Sequence, residues 1–101
     1  MFCRPPAAAK IDPLIKAIGD FRRAMAVFKR EESAEDDETD ALAAATYRPA
    51  RLVIQGWARP AVSHAGALEA LRLAREAERD GDYRIVAPML KAAFDYLETA
   101  L

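Results

Sequence analysis

At 101 residues and a net charge of −1, the chain has room for one domain with a modest core. Its charge excludes both a globally basic nucleic-acid binder and a strongly acidic nucleic-acid mimic. Apolar residues reach 52% but include many alanines, so helices form readily while the core must rest on few large side chains.

Residues 1–10 read as a flexible tail, because Pro5 and Pro6 block regular pairing there. The start Met-Phe-Cys-Arg-Pro-Pro lacks the apolar run of a secretory signal. Cys3 is the only cysteine, so no disulfide can form within the chain, and a reducing cytoplasm is expected. No apolar stretch approaches the ~20 residues that span a bilayer, so no membrane association is expected.

Asp12-Pro13 predicts the start of a first helix, with aspartate as cap and proline in the first turn. Ile11, Leu14, Ile15, Ile18, Phe21, Met25 and Phe28 recur at helical spacing and form one apolar face. Gly19, in the middle, marks a point where another backbone could come close. Between residues 31 and 40, seven side chains are acidic: Glu31, Glu32, Glu35, Asp36, Asp37, Glu38 and Asp40. Ser33 is placed to cap a second helix whose first turn carries this charge, which favours a helix N-terminus. The run is read as a solvated helix start, and as an acidic patch able to dock a basic partner. The first two helices are expected to form a hairpin.

Residues 46–62 form an irregular bridge framed by Pro49 and Pro60. Leu52-Val53-Ile54 fits either a strand or a short helix from Pro49 to about Gly56, and a lone strand would lack a partner. Ser63 then predicts the cap of a third helix running to about Arg79, with Ala65, Leu68, Leu71 and Ala74 along one side. Asp80-Gly81-Asp82 is a turn signal. The last helix runs from about Tyr83, with Val86, Met89, Leu90, Ala93, Phe94, Leu97 and Leu101 as its apolar face. Pro88 either starts that helix, sits early enough to cost little, or kinks it. The expected fold is all-α, a small four- to five-helix bundle: an N-terminal helical hairpin, an irregular or short-helix bridge, and a C-terminal helical pair. Its core is expected to hold Leu14, Ile18, Phe21, Met25, Phe28, Leu42, Leu68, Leu71, Leu90, Phe94 and Leu97.

Residues suited to catalysis do not cluster. His64 is the only histidine, and Ser63 beside it points elsewhere on a helix. The four glycines stand singly, so there is no phosphate-cradling loop. The acidic run lacks the alternating pattern and central glycine of a calcium loop. No enzymatic activity, cofactor, metal or small-molecule substrate is therefore expected.

One stretch stands out. Residues 41–68 carry no acidic side chain but hold Arg48, Arg51 and Arg59 interleaved with Tyr47, Trp57 and His64. Arginine and the large aromatics are enriched at interface hot spots, so these six residues are the expected partner-binding set. The partner is expected to be another protein or a second copy. An alternative is a nucleic-acid-associated regulator using Arg48, Arg51 and Arg59 with Arg22, Arg23, Lys29 and Arg30 of the first helix. A purely structural subunit of a homo-oligomer is a further alternative. In the blandest reading, Trp57 plugs the core and the arginines pair with the acidic run.

The pattern Arg59-Pro60-Ala61-x-Ser63-x-Ala65-Gly66-Ala67-x-x-Ala70-Leu71-Arg72, with Ala92-Ala93-Phe94-Asp95-Tyr96-Leu97, resembles a group of small uncharacterised helical proteins of alphaproteobacteria. Rhizobial genomes and their mobile elements include them. The resemblance covers residues 59–97 best and 11–101 loosely, and this chain departs from it at Trp57 and at Val62, where the group has threonine. It carries no activity. It implies a bacterial, cytoplasmic setting and an accessory role.

Overall fold

The computed structural model describes residues 12–31 and 36–100, and for residues 36–40 the backbone alone. Five helices follow one another: α1 (Pro13–Glu31), α2 (Asp36–Ala45), α3 (Tyr47–Gln55), α4 (His64–Asp80) and α5 (Tyr83–Ala100). The fold is all-α, with no strand among the described residues. The expected tail at residues 1–10 and the expected cap at Ser33 lie outside the described residues.

Local chemistry sets most boundaries. Asp12 caps α1, its Oδ1 accepting from Leu14 N–H at 2.9 Å. The hairpin's second arm is α2 and α3 in succession, broken at Thr46. Pro49 explains the break, since it has no N–H for the Ala45 carbonyl one turn back. Thr46 turns its hydroxyl onto the Leu42 carbonyl at 2.6 Å. Leu52-Val53-Ile54 is thus helical, and α3 ends at Gly56. At the end of α4, Gly81 adopts φ 78°, and Asp82 N–H donates to the Ala77 carbonyl at 2.7 Å. That left-handed turn, natural for glycine, reverses the chain into α5. Pro88 lies inside α5, where it removes only the bond to the Arg84 carbonyl.

Packing follows from side-chain size. α4 and α5 form the most extensive helix pair, and α1 leans on α3 and α4. Ala67, Ala70, Ala74 and Ala77 of α4 are buried with Ala92 and Ala93 of α5. Small residues at a contact let helix axes approach. The largest fully buried side chains are Leu14, Ile18, Ile54, Ile85 and Met89. Above the α4–α5 pair, Ala61 N–H donates to the Ala92 carbonyl at 3.0 Å, which pins the bridge across α5.

Part of the expected core is displaced. Leu14, Ile18 and Phe21 are buried as expected, while Met25, Phe28, Leu42 and Leu97 are half-buried. Leu68, Leu71, Leu90 and Phe94 are exposed, by 47%, 37%, 46% and 61%. Both C-terminal helices are rolled so that their six buried alanines, with Leu73, Ile85 and Met89, face inward and the four large side chains face out.

Candidate functional site

The roll of α4 has an identifiable cause. The Asp12 carboxylate is buried between the starts of α1 and α4. Its Oδ2 accepts from Val62 N–H at 3.1 Å and from the Ser63 hydroxyl at 2.8 Å. Ser63 in turn accepts from Gly66 N–H at 3.0 Å, capping α4 as expected. One carboxylate thus ties two helix N-termini together, where negative charge is favoured. A Cβ on Gly66 would overlap Asp12 Oδ2 and lie 2.7 Å from Asp12 Cγ. The bare side of Gly66 must therefore face Asp12. Residues 70, 73 and 77, on the same helical face as 66, then turn inward. Residues 68 and 71 turn outward. Gly19, where a close approach was expected, meets only the Arg23 guanidinium at 3.3 Å.

The outward roll creates a surface. Leu71, Leu90, Phe94 and Leu97, with the stem of Lys91, line one shallow apolar groove on the outer face of α4 and α5. Leu68 extends it by one turn of α4. Among the described residues, α1 and α3 meet the pair on the side of Leu73, Ala77 and Ile85.

The six bridge residues do not share one face. Tyr47 packs edge-on against Phe28, with ring centroids 4.8 Å apart. Arg51 reaches across to Asp82 at 2.5 Å, joining α3 to the turn before α5. Tyr47 and Arg51 help line a cleft of about 420 Å³ with Phe21, Met25, Leu73 and Ile85. A second ion pair, Arg22 to Glu76 at 2.7 Å, crosses the same cleft. Trp57 and Arg59 lie elsewhere, in a groove against Pro13 and Ala17 of α1. There the Arg59 guanidinium sits 4.6 Å from the Trp57 ring centroid. Trp57 is half-buried and packs on the core, so it is neither a full plug nor a free anchor. His64 lies on a third side, with Nδ1 2.6 Å from the Tyr96 hydroxyl. Arg48 is exposed on α3.

Two of the three bridge arginines have their contacts away from the acidic run, whose side chains from residue 32 to 40 lie outside those described. Arg51 turns to Asp82 and Arg59 to Trp57. Of the acidic residues, Glu31 is exposed at the end of α1 beside Arg30. Asp36, Asp37, Glu38 and Asp40 belong to the first turns of α2, and Glu32 and Glu35 lie outside the described residues.

Sequence reasoning missed three features. Asp12 was read as a local cap, and its bond to Ser63 spans the chain. Gly66 was read as a lone glycine, because nothing local marks a close approach. The outer leucines and Phe94 were read as core, because apolar side chains sit on more than one side of α4 and α5. Among the described residues, no group of three or more His, Cys, Asp or Glu side chains could hold a metal. None of the described helices is long and apolar enough to cross a membrane. No protein-family model matches the chain, and neither a curated protein nor a solved structure does.

Proposed function

We propose that this chain is a non-enzymatic protein-interaction module, a bacterial accessory or regulatory adaptor, which docks through the outer face of α4 and α5. The observation that carries this reading is the exposure of Leu71, Leu90 and Phe94 around one groove, with Leu68 exposed three residues before Leu71. The largest contiguous apolar patch on a protein surface, commonly about 300–600 Å², is often where another molecule binds. Ion pairs rim the groove, Arg72 with Glu69 at 2.9 Å and Lys91 with Asp95 at 2.6 Å. An apolar centre inside a polar rim is the anatomy of a protein–protein interface.

The bridge aromatics and arginines support a lesser role in docking. Tyr47, Arg51, Trp57 and Arg59 are each engaged within the fold, and they divide between two clefts. The nucleic-acid alternative draws less support for a related reason. Arg22 and Arg51 hold carboxylates across a cleft, Arg23 holds Asp20, and Arg30 lies beside Glu31.

The test is a photoreactive aromatic placed at position 94 in the full chain, with position 59 as control, irradiated in the native cell. A defined cross-linked protein from position 94 is the expected result. Absence of any product there, or an identical product pattern from both positions, would remove the docking face from consideration.

A further inference from the structure

We infer that the outer face of α5 is covered by α5 of a second copy of this chain. The two helices run antiparallel about a two-fold axis near Phe94. This rests on the docking face proposed above and names its occupant.

The first observation is a spacing. Tyr83, Ala87, Leu90, Phe94, Leu97 and Leu101 follow one another at alternating steps of four and three. That is the seam of a coiled coil, in which apolar residues recur every 3.5 residues and interlock with a partner helix. The seam does not serve the chain's own core. Ile85, Met89, Ala92 and Ala93 do that from the opposite side of α5. Tyr83, Ala87, Leu90 and Phe94 are exposed, and Leu97 is half-buried. Leu101 lies outside the described residues. So α5 has two apolar faces, and one lacks a partner among the described residues.

The second observation is area and shape. The exposures of Leu68, Leu71, Leu90 and Phe94 leave on the order of 400 Å² of apolar surface, taking about 200 Å² for each side chain. A standard interface buries about 800 Å² per partner, somewhat over half of it apolar. The face therefore supplies about what a stable dimer needs. The radius of gyration, 15.5 Å, exceeds the roughly 13 Å of a compact chain of this length. The shortest dimension, 18 Å, is about two helix diameters. A slab only two helices thick gains a further packed layer by pairing. The seam alone spans fewer than three heptads, so Leu68 and Leu71 of α4 are needed to widen it.

The third observation is charge, which selects a copy of this chain over an unrelated helix and selects the direction. One flank of the seam carries Arg84, Lys91 and Glu98, one per heptad. The other flank, Val86 and Ala93, packs into the chain's own core. In an antiparallel pair, like flanks face each other across the axis. Lys91 and Glu98 stand on either side of Phe94, so each Lys91 meets the partner's Glu98 and both pairings are attractive. A parallel pair would set the charged flank against the partner's apolar one, where neither charge has an opposite. Glu98 makes no ion pair among the described residues, and Lys91, now held by Asp95, is two-thirds exposed.

Sedimentation equilibrium on the full chain is the direct test, expected to give twice the 11.1 kDa of one chain. Lys91→Glu and Glu98→Lys should each raise the dissociation constant about tenfold at low salt, since each turns two attractive pairs repulsive. Mixing the two variants, or combining both changes in one chain, should restore wild-type affinity. Phe94→Glu should give a single-chain mass with an unchanged helical spectrum. If that variant loses its helical spectrum, the exposed charge variants decide alone. A single-chain mass at every accessible concentration, or charge reversals without rescue, would overturn the proposal. The cross-link at position 94 separates the two readings. A product of twice the chain mass supports the second copy. A product with a different protein overturns the second copy and leaves the interaction module standing. No product overturns both.

Discussion

The carboxylate of Asp12 occupies the space that a Cβ on Gly66 would need, and this pair fixes how α4 sits in the bundle. Gly66→Ala should therefore cost about 2–4 kcal/mol in urea unfolding, by displacing a buried carboxylate from its donors. Alanine's better helix propensity, worth about 1 kcal/mol, predicts the opposite sign, so the direction of the change decides. Asp12→Ala should also destabilise, because Leu14 N–H, Val62 N–H and the Ser63 hydroxyl lose their acceptor. In the double variant the clash is gone, and the Gly66→Ala change should cost nothing further or stabilise. Additive losses would show that the two residues act separately.

Gly19 is the contrasting case. Only the flexible end of Arg23 approaches it, and Arg23 is itself well exposed. Gly19→Ala should stabilise by about 0.5–1 kcal/mol, the ordinary gain from replacing a helical glycine. A loss on thermal or urea unfolding would mean that the backbone at residue 19 is more crowded than the structure has it.

These two glycines show what the sequence makes legible. Caps and turns at Asp12, Ser63 and Gly81 are local, so residue types at short range reveal them, and all three hold in the structure. Helix count and order follow from the same signals. The roll of α4 and α5 is not local. Leu68 and Leu71 look as suitable for a core as Leu73, and only the contact between Gly66 and Asp12 tells them apart. The usual preference for burying large side chains then points the wrong way, because an alanine interface lets two helices approach closely. The six bridge residues are spread over the fold for a related reason. A stretch free of acids in sequence wraps around a helix and a turn, so Arg51, Arg59 and His64 reach three different sides.

Arg51 and Asp82 clamp α3 to the turn between α4 and α5, with side chains 30% and 25% exposed. A double-mutant cycle with Arg51→Met and Asp82→Asn should give a coupling of about 1 kcal/mol, above an open surface pair and below a fully buried one. Salt up to about 0.5 M should reduce it only partly, since partly buried charges are screened less. A coupling near zero would mean that the pair forms without holding the helices.

Asp20 sits between Lys16 and Arg23 on the open side of α1. Its hydrogen bond to Lys16, and then that to Arg23, hold its carboxyl below the ordinary value of 3.8. The unfolded chain therefore takes up this proton at a higher pH than the folded one. Its stabilisation is complete above the unfolded value and is lost as pH falls through the lower, folded one. Asp20→Asn should thus narrow the stability difference from wild type as pH drops below about 4. A difference that grows on acidification would reverse the sign and contradict the geometry.

Met89 and Phe94 lie five residues, about 1.4 turns, apart on α5, one fully buried and the other 61% exposed. Met89→Ala should cost about 2–5 kcal/mol at any protein concentration, since it leaves a cavity in the core. Phe94→Ala should cost little in dilute protein. If the second copy covers this face, the cost should grow with concentration, because association stabilises the folded wild type by mass action and the variant gains less. Thermal unfolding of both variants over a hundredfold range of concentration separates the two cases. A large, concentration-independent loss for Phe94→Ala would return this side chain to the core where its sequence spacing first placed it.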